Sequence, residues 1–222
     1  MKRIIALCLS LAVLFGVRVF GASENVFYKN RSAKGKIALT FDDGPHPRLT
    51  PQILDILDEY GIVATFFVVG KNVENYPKAF ERLLASGCEI GNHTYSHKNL
   101  EKLSEDDILL EITDTERAVL NVSDRRLSLL RPPQGFYGES IAKLCYNRGY
   151  NLIMWSVDTR DWAHNSPENI LDTVLKELSD GDIILMHDYV AGDSPTCEAL
   201  RLMIPEILSR GYEFVLVSEL IA

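Results

Sequence analysis

A chain of 222 residues, 46% apolar and 24% charged, has ordinary globular composition and enough length for one domain with a sizeable core. Its formal charge of −8 offers no basic stripe to neutralise phosphates and no attraction to anionic lipid, so nucleic acid is excluded as a partner class.

At the N-terminus, Lys2 and Arg3 precede an apolar run from Ile4 to Val17, and Gly21, Ala22 and Ser23 follow Phe20. That order predicts a secretory signal peptide over residues 1–22. Arg18 stops the run short of the ~20 residues a membrane span needs, which favours cleavage over a retained anchor. The processed chain is then expected to be secreted or held at the cell surface, monomeric, with no stable span. Three cysteines remain, Cys88, Cys145 and Cys197, so one disulfide at most can form. With no Cys-x-x-Cys spacing, a thiolate zinc site is not expected.

Residues 23–35 read as a polar lead-in to a single domain over residues 36–222. A first apolar run covers 37–41. Thr50-Pro51 then reads as a helix cap followed by proline at the first helical position, with Gly61 as the stop. A second strand run covers 64–69. Pro77 opens another helix, with Phe80, Leu83 and Leu84 inward and Gly87 as its end. The third run covers 88–91, and Ser104 with Asp107 forms a box-like cap for the next helix. Runs at 127–130, 150–157, 182–186 and 213–217 follow. Between them lie Ser166-Pro167, Ser194-Pro195 and two expected C-cap glycines, Gly149 and Gly211. Most runs are almost continuously apolar, as strands buried on both faces are. About seven β-then-α units therefore predict a parallel α/β fold with right-handed crossovers, either an open sheet or a barrel.

Polar residues gather at one end of these strands. Asp42 and Asp43 follow the first run; Asn92, His93 and His97 the third; Arg131 the fourth. Asp158, Asp161 and Trp162 follow the fifth, and His187 and Asp188 the sixth. In a parallel α/β fold these ends share one face, where βα loops build sites. Asp42 and Asp43 point in different directions, so one can hold a metal while the other faces the substrate water. His93 and His97, at i and i+4, would share a face if the segment is a helical turn. Two histidines and one carboxylate leave a coordination position open, the pattern of a catalytic zinc site. Arg131, stiffened by Pro132 and Pro133, can orient Asp42 through charge-assisted hydrogen bonds. Asp161 and His187 are candidates for a pair in which the carboxylate fixes the tautomer and raises the pKa of a proton-donating imidazole. Trp162 is either a platform for a sugar ring or a core aromatic. His46 and His164 have no such company and read as surface residues.

The five segments Thr40-Phe41-Asp42-Asp43-Gly44-Pro45, His93 to His97, Arg131-Pro132-Pro133-Gln134-Gly135, Asp158 to Trp162 and Leu185-Met186-His187-Asp188 together resemble the polysaccharide deacetylases, carbohydrate esterase family 4, with their NodB homology domain. The resemblance covers nearly all of the chain after residue 36. It implies a distorted (β/α) barrel of about seven parallel strands. It implies Asp42 as general base, His187 as general acid, and Arg131 and Asp161 as their respective partners. Asp43, His93 and His97 would bind a divalent metal, usually zinc, with cobalt or another divalent ion as alternatives. Leu185 would line the pocket for an acetyl methyl, and Trp162 and Tyr137 are further candidate substrate contacts. The implied reaction removes N-acetyl groups from a peptidoglycan or chitin-like polysaccharide, with the oxyanion held by the metal and a backbone N–H just after Asp43 or Gly44. An acetylxylan O-deacetylase on the same scaffold, or a silent sugar-binding module, are the competing expectations.

Overall fold

The computed structural model describes residues 25–190 and 192–222. The expected signal peptide, residues 1–22, lies outside the described residues. In chain order the strands and helices are β1 (Val26–Phe27), β2 (Lys36–Asp42), α1 (Leu49–Tyr60), β3 (Thr65–Val68), α2 (Gly70–Asn75), α3 (Pro77–Leu84) and β4 (Glu89–Asn92). Then come α4 (Glu105–Leu120), β5 (Leu129–Leu130), α5 (Glu139–Asn147), β6 (Asn151–Ile153), β7 (Val157–Asp158) and α6 (Pro167–Glu177). The chain ends with β8 (Ile183–His187), α7 (Thr196–Ser209), β9 (Glu213–Phe214) and α8 (Val217–Leu220).

Eight strands run in the order β1-β6-β5-β4-β3-β2-β8-β7, all paired in parallel, and β9 pairs beside the start of β2. The result is the expected distorted (β/α) barrel, with more strands than the seven expected. One extra strand comes from the polar stretch before Lys36: β1 adds to β6, and Lys29 then bridges Asp182 just ahead of β8. Residues from both ends of the strand order thus meet through this segment. The buried Asn25 ties it further, donating to Ala142 O and Tyr150 O.

A second extra strand arises because the run 150–157 splits in two. Arg131 accounts for the split. Its Nε donates to Ile153 O at 3.0 Å and its Nη2 to Met154 O at 3.0 Å, so these carbonyls serve a guanidinium instead of continuing the ladder. The last run also ends early, because Val217 donates its N–H to Thr65 Oγ1 and begins α8.

The core comprises three apolar clusters, the largest beneath the helices. Ile53, Leu54 and Leu57 of α1, Phe80 and Leu83 of α3, and Leu200, Met203 and Ile204 of α7 pack on the outward faces of the sheet. Ser104 and Ser166 cap their helices by accepting from Asp107 N and Asn169 N. Thr50 does not cap α1. That task falls to His46, whose Nδ1 accepts from Arg48 N and Leu49 N, so His46 is a half-buried cap and not a plain surface residue. α3 stops at Leu84, before Gly87, and Pro195 itself occupies the cap position of α7. Cys88 and Cys145 are buried, Cys197 is half-buried, and all three are free.

Candidate active site

At the carboxyl ends of the strands, a cavity of about 510 Å³ is lined by Asp42, Asp43, His93, His97, Gln134, Phe136, Trp155, Asp158, Trp162, Leu185 and His187. Parallel pairing explains the convergence. The register places Asp42 opposite His187, and Val68 opposite Asn92, so the chain leaves every strand at one rim.

The metal-ligand candidates meet here. One ligand atom each from Asp43, His93 and His97 lies within 4.8 Å of the others. His93 Nε2 is 3.3 Å and His97 Nε2 is 3.1 Å from Asp43 Oδ1. That oxygen is buried and makes no well-aligned hydrogen bond, so the approach is a convergence of lone-pair donors around a common point. His93 Nδ1–H donates to Arg131 O at 2.8 Å, which leaves Nε2 as the free lone pair. The donor set fits a divalent cation. His93 is buried, whereas Asp43 and His97 keep about a third of their side-chain surface, so the cavity side of the cluster is open. Burial alone would raise the Asp43 carboxyl, but the two adjacent imidazoles outweigh it and hold the group far below the usual carboxylate range.

The histidines do not lie on a helical turn. Residues 93–98 form an irregular loop in which Thr94 (φ 67°) and His97 (φ 56°) take left-handed backbone. The loop is pinned instead. Thr94 N donates to Asn92 Oδ1, and both Ser96 N and Ser96 Oγ donate to the buried carboxylate of Glu111 on α4. The two rings end with centroids 5.0 Å apart.

Asp42 faces the same cavity from the end of β2. Arg131, fully buried, donates to Asp42 Oδ1 at 2.7 Å and to Thr40 Oγ1 at 2.8 Å with one nitrogen, and stacks 4.2 Å over the Phe67 ring. Across the cavity, His187 Nδ1–H donates to Asp161 Oδ1 at 2.8 Å. Asp161 also accepts from Trp162 N, His187 N and Thr196 Oγ1, so both oxygens of this buried carboxyl group have partners. Burial would lower His187, but the bond to Asp161 and the charges of Asp161, Asp42 and Asp43 raise it to about 9.

Leu185 lines the cavity wall and is buried, and Trp162 is 53% exposed at the rim, so it is not a core aromatic. Tyr137 lies outside the cavity. Neighbouring side chains on an extended segment point opposite ways, so Phe136 takes the rim while the Tyr137 hydroxyl pairs with that of Tyr28 at 3.0 Å. The expected oxyanion donor is not free to serve either. Gly44 N–H is engaged by Asp188 Oδ1 at 2.9 Å, and the next residue, Pro45, has none. Asn72, Glu111, Phe136, Trp155 and Asp188 are parts of the site or its supports to which the sequence alone gives no role; for Asp188, adjacency to His187 is the one signal.

A candidate metal-ligand cluster, a carboxylate–arginine pair and a carboxylate–histidine pair converge at one cavity, an arrangement suited to metal-assisted hydrolysis. The comparisons agree. The family model described as polysaccharide deacetylase matches residues 29–153. A peptidoglycan-N-acetylglucosamine deacetylase of Bacillus cereus is 40% identical over 187 residues, covering 83% of this chain and 87% of that protein. A chitooligosaccharide deacetylase of a Bradyrhizobium species is 34% identical over 209 residues, covering 89% and 94%. The crystal structure of the Bc1960 peptidoglycan N-acetylglucosamine deacetylase, bound to a naphthalenyl N-hydroxybenzamide, superposes with a TM-score of 0.85 at 36% identity, covering 88% of this chain and 91% of that one. The chain belongs to the polysaccharide deacetylase family.

Proposed function

We propose that this chain is a divalent-metal-dependent N-deacetylase that removes acetyl groups from N-acetylglucosamine-type residues of peptidoglycan or a chitin-like polysaccharide, releasing acetate. One observation carries the reading: the Asp43–His93–His97 cluster opens into the same cavity as Asp42 and His187. The similarity to deacetylases of N-acetylated glycans supports the substrate class.

Asp43, His93 and His97 would hold the ion, zinc or alternatively cobalt. When bound, it supplies Lewis-acid polarisation of the acetyl carbonyl and the attacking water. Asp42, held by Arg131, takes the proton from that water. His187, with Nδ1 committed to Asp161, presents Nε2–H to the departing amine and completes the hydrolysis. Leu185 packs against the acetyl methyl, and Trp162 offers its exposed face to a sugar ring. A leader over residues 1–22 would place this chemistry outside the cytoplasmic membrane. Among the described residues, no helix is long and apolar enough to cross a membrane.

The test is acetate release by the purified, zinc-loaded protein from peptidoglycan, chitooligosaccharide and acetylxylan. Release from either N-acetylated substrate in excess of acetylxylan is the expected outcome. Preference for acetylxylan would make the chain an O-deacetylase, and binding without acetate release would make it a silent module.

A further inference from the structure

Asp43 carries its carboxylate on a backbone that β-carbon-bearing residues rarely adopt, with φ 78°. Such a conformation persists only where the surroundings over-determine it. They do so here from two sides. On one side, Asn72 of α2 donates its Nδ2–H to Asp43 O at 2.8 Å, and Val69 N–H donates to Gly44 O at 2.8 Å. On the other side lies Asp188, 1% exposed, at the end of β8. Its Oδ1 accepts from Gly44 N at 2.9 Å, and its own N–H donates to Asp42 O at 3.1 Å. Its Oδ2 accepts from Thr50 Oγ1 at 2.6 Å, and Thr50 Oγ1 in turn accepts from His46 N at 2.7 Å. A Cβ at position 44 would collide with the Asp188 carboxylate, so Gly44 and Asp188 are fitted to each other.

Asp188 has no basic partner among the described residues. A buried carboxylate without a cation is a poor device for stability alone. Its bonds run instead to the turn that aims Asp43 at the two imidazoles, while the neighbouring side chain, His187, faces the cavity.

We infer that Asp188, with Asn72 opposing it, is a positioning residue that clamps the Asp42–Gly44 turn and thereby sets the affinity of the Asp43–His93–His97 site for its divalent cation. This rests on the metal-binding reading above. Asp188 touches no reacting group. It acts through the Gly44 N–H and the backbone conformation of Asp43.

The test is competition for zinc between a chromophoric chelator and the purified protein, wild type against Asp188→Ala, Asp188→Asn and Asn72→Ala, with the melting temperature of each metal-free protein measured in parallel. Support residues one step from a metal typically change affinity 10–100-fold. Asp188→Ala is expected to weaken zinc binding by that factor. Asp188→Asn should lose less, because the amide oxygen still accepts from Gly44 N–H. Asn72→Ala should weaken binding through the opposite side of the turn. If Asp188→Ala does not fold, Asp188→Asn and Asn72→Ala carry the comparison. Zinc affinities equal to wild type in the folded variants, with only the melting temperature lowered, would make the clamp structural and overturn the inference. A wild-type protein that takes up no zinc overturns the metal reading itself, whereas tight wild-type binding left unchanged in the variants overturns only the clamp.

Discussion

Two buried carboxylates serve the cavity, Asp42 at its wall and Asp161 behind His187, each held by a cationic or proton-bearing partner, and the partners differ. Asp42 is bonded to Arg131, whose guanidinium keeps its charge through the whole working pH range. Asp161 is bonded to His187, whose proton is exchangeable and whose pKa is raised to about 9. Both pairs sit at the carboxyl ends of strands, and both carboxylates make several hydrogen bonds or ionic contacts. What separates them is whether the partner can release a proton. That difference assigns the proposed roles: the side with a permanent cation keeps a proton acceptor in place, and the side with an imidazole supplies a proton donor.

The Asp42 side of the cavity should be the more sensitive to substitution. Asp42→Asn keeps the shape and removes the acceptor, so kcat should fall by about 10²–10⁴-fold while zinc content stays at the wild-type level. Zinc per chain and kcat measured on one preparation check this. Loss of zinc together with activity would mean Asp42 is itself a ligand.

Metal removal should come next. A chelator should abolish acetate release, and added zinc or cobalt should restore it. Restored metal should also raise the melting temperature, since an ion that binds only the folded chain stabilises it by mass action. Activity that persists in the dialysed, metal-free protein would sink this part of the account.

The Asp161 side makes a prediction in pH. His187 has a folded-state pKa raised from 6.5 to about 9, so its bond to Asp161 contributes stability that is fully present below about 6.5 and lost as pH rises through about 9. The proton needed by the leaving amine is lost over the same interval. Activity should therefore decline on the alkaline side as His187 loses that proton, below about 9 when a bound cation offsets the Asp43 charge that helps to raise it. Asp161→Asn removes the raising charge, so the decline should move to lower pH and kcat at neutral pH should drop. A pH profile of kcat for both proteins checks this, and an unchanged alkaline limb would remove Asp161 from the role.

The smallest effect belongs to the rim. Trp162→Ala should raise KM by up to roughly tenfold with kcat little changed, because the exposed ring offers contact area and no chemistry. A fall in kcat without a change in KM would instead mean that Trp162 chiefly holds the Asp161 loop.

Much of this site was legible in the sequence because period and polarity say different things about the same strands. Continuous apolar runs predicted buried parallel strands, and polar residues at one end of each predicted a shared rim. The convergence of Asp42, Asp43, His93, His97 and His187 followed from that alone. Backbone conformations without a periodic signature were not legible. The His93–His97 spacing suggests a helical turn, yet left-handed backbone at Thr94 and His97 and a carboxylate on distant α4 shape the loop. The run 150–157 reads as one strand because nothing local announces that Arg131 will draw two of its carbonyls away. The polar stretch before Lys36 reads as a lead-in because the two-residue strand β1 is too short to show alternation. Tyr137 and Phe136 are equally plausible rim aromatics until the facing of the segment is known.

The proposed chemistry requires three side chains to share one ion. Crystals of the protein grown with zinc, with anomalous data collected at the zinc absorption edge, locate that ion directly. One strong peak in the cavity, about 2.0–2.2 Å from an Asp43 carboxylate oxygen, His93 Nε2 and His97 Nε2, is predicted. A fully occupied zinc elsewhere with this cluster unfilled, or a peak coordinated without Asp43, would contradict it.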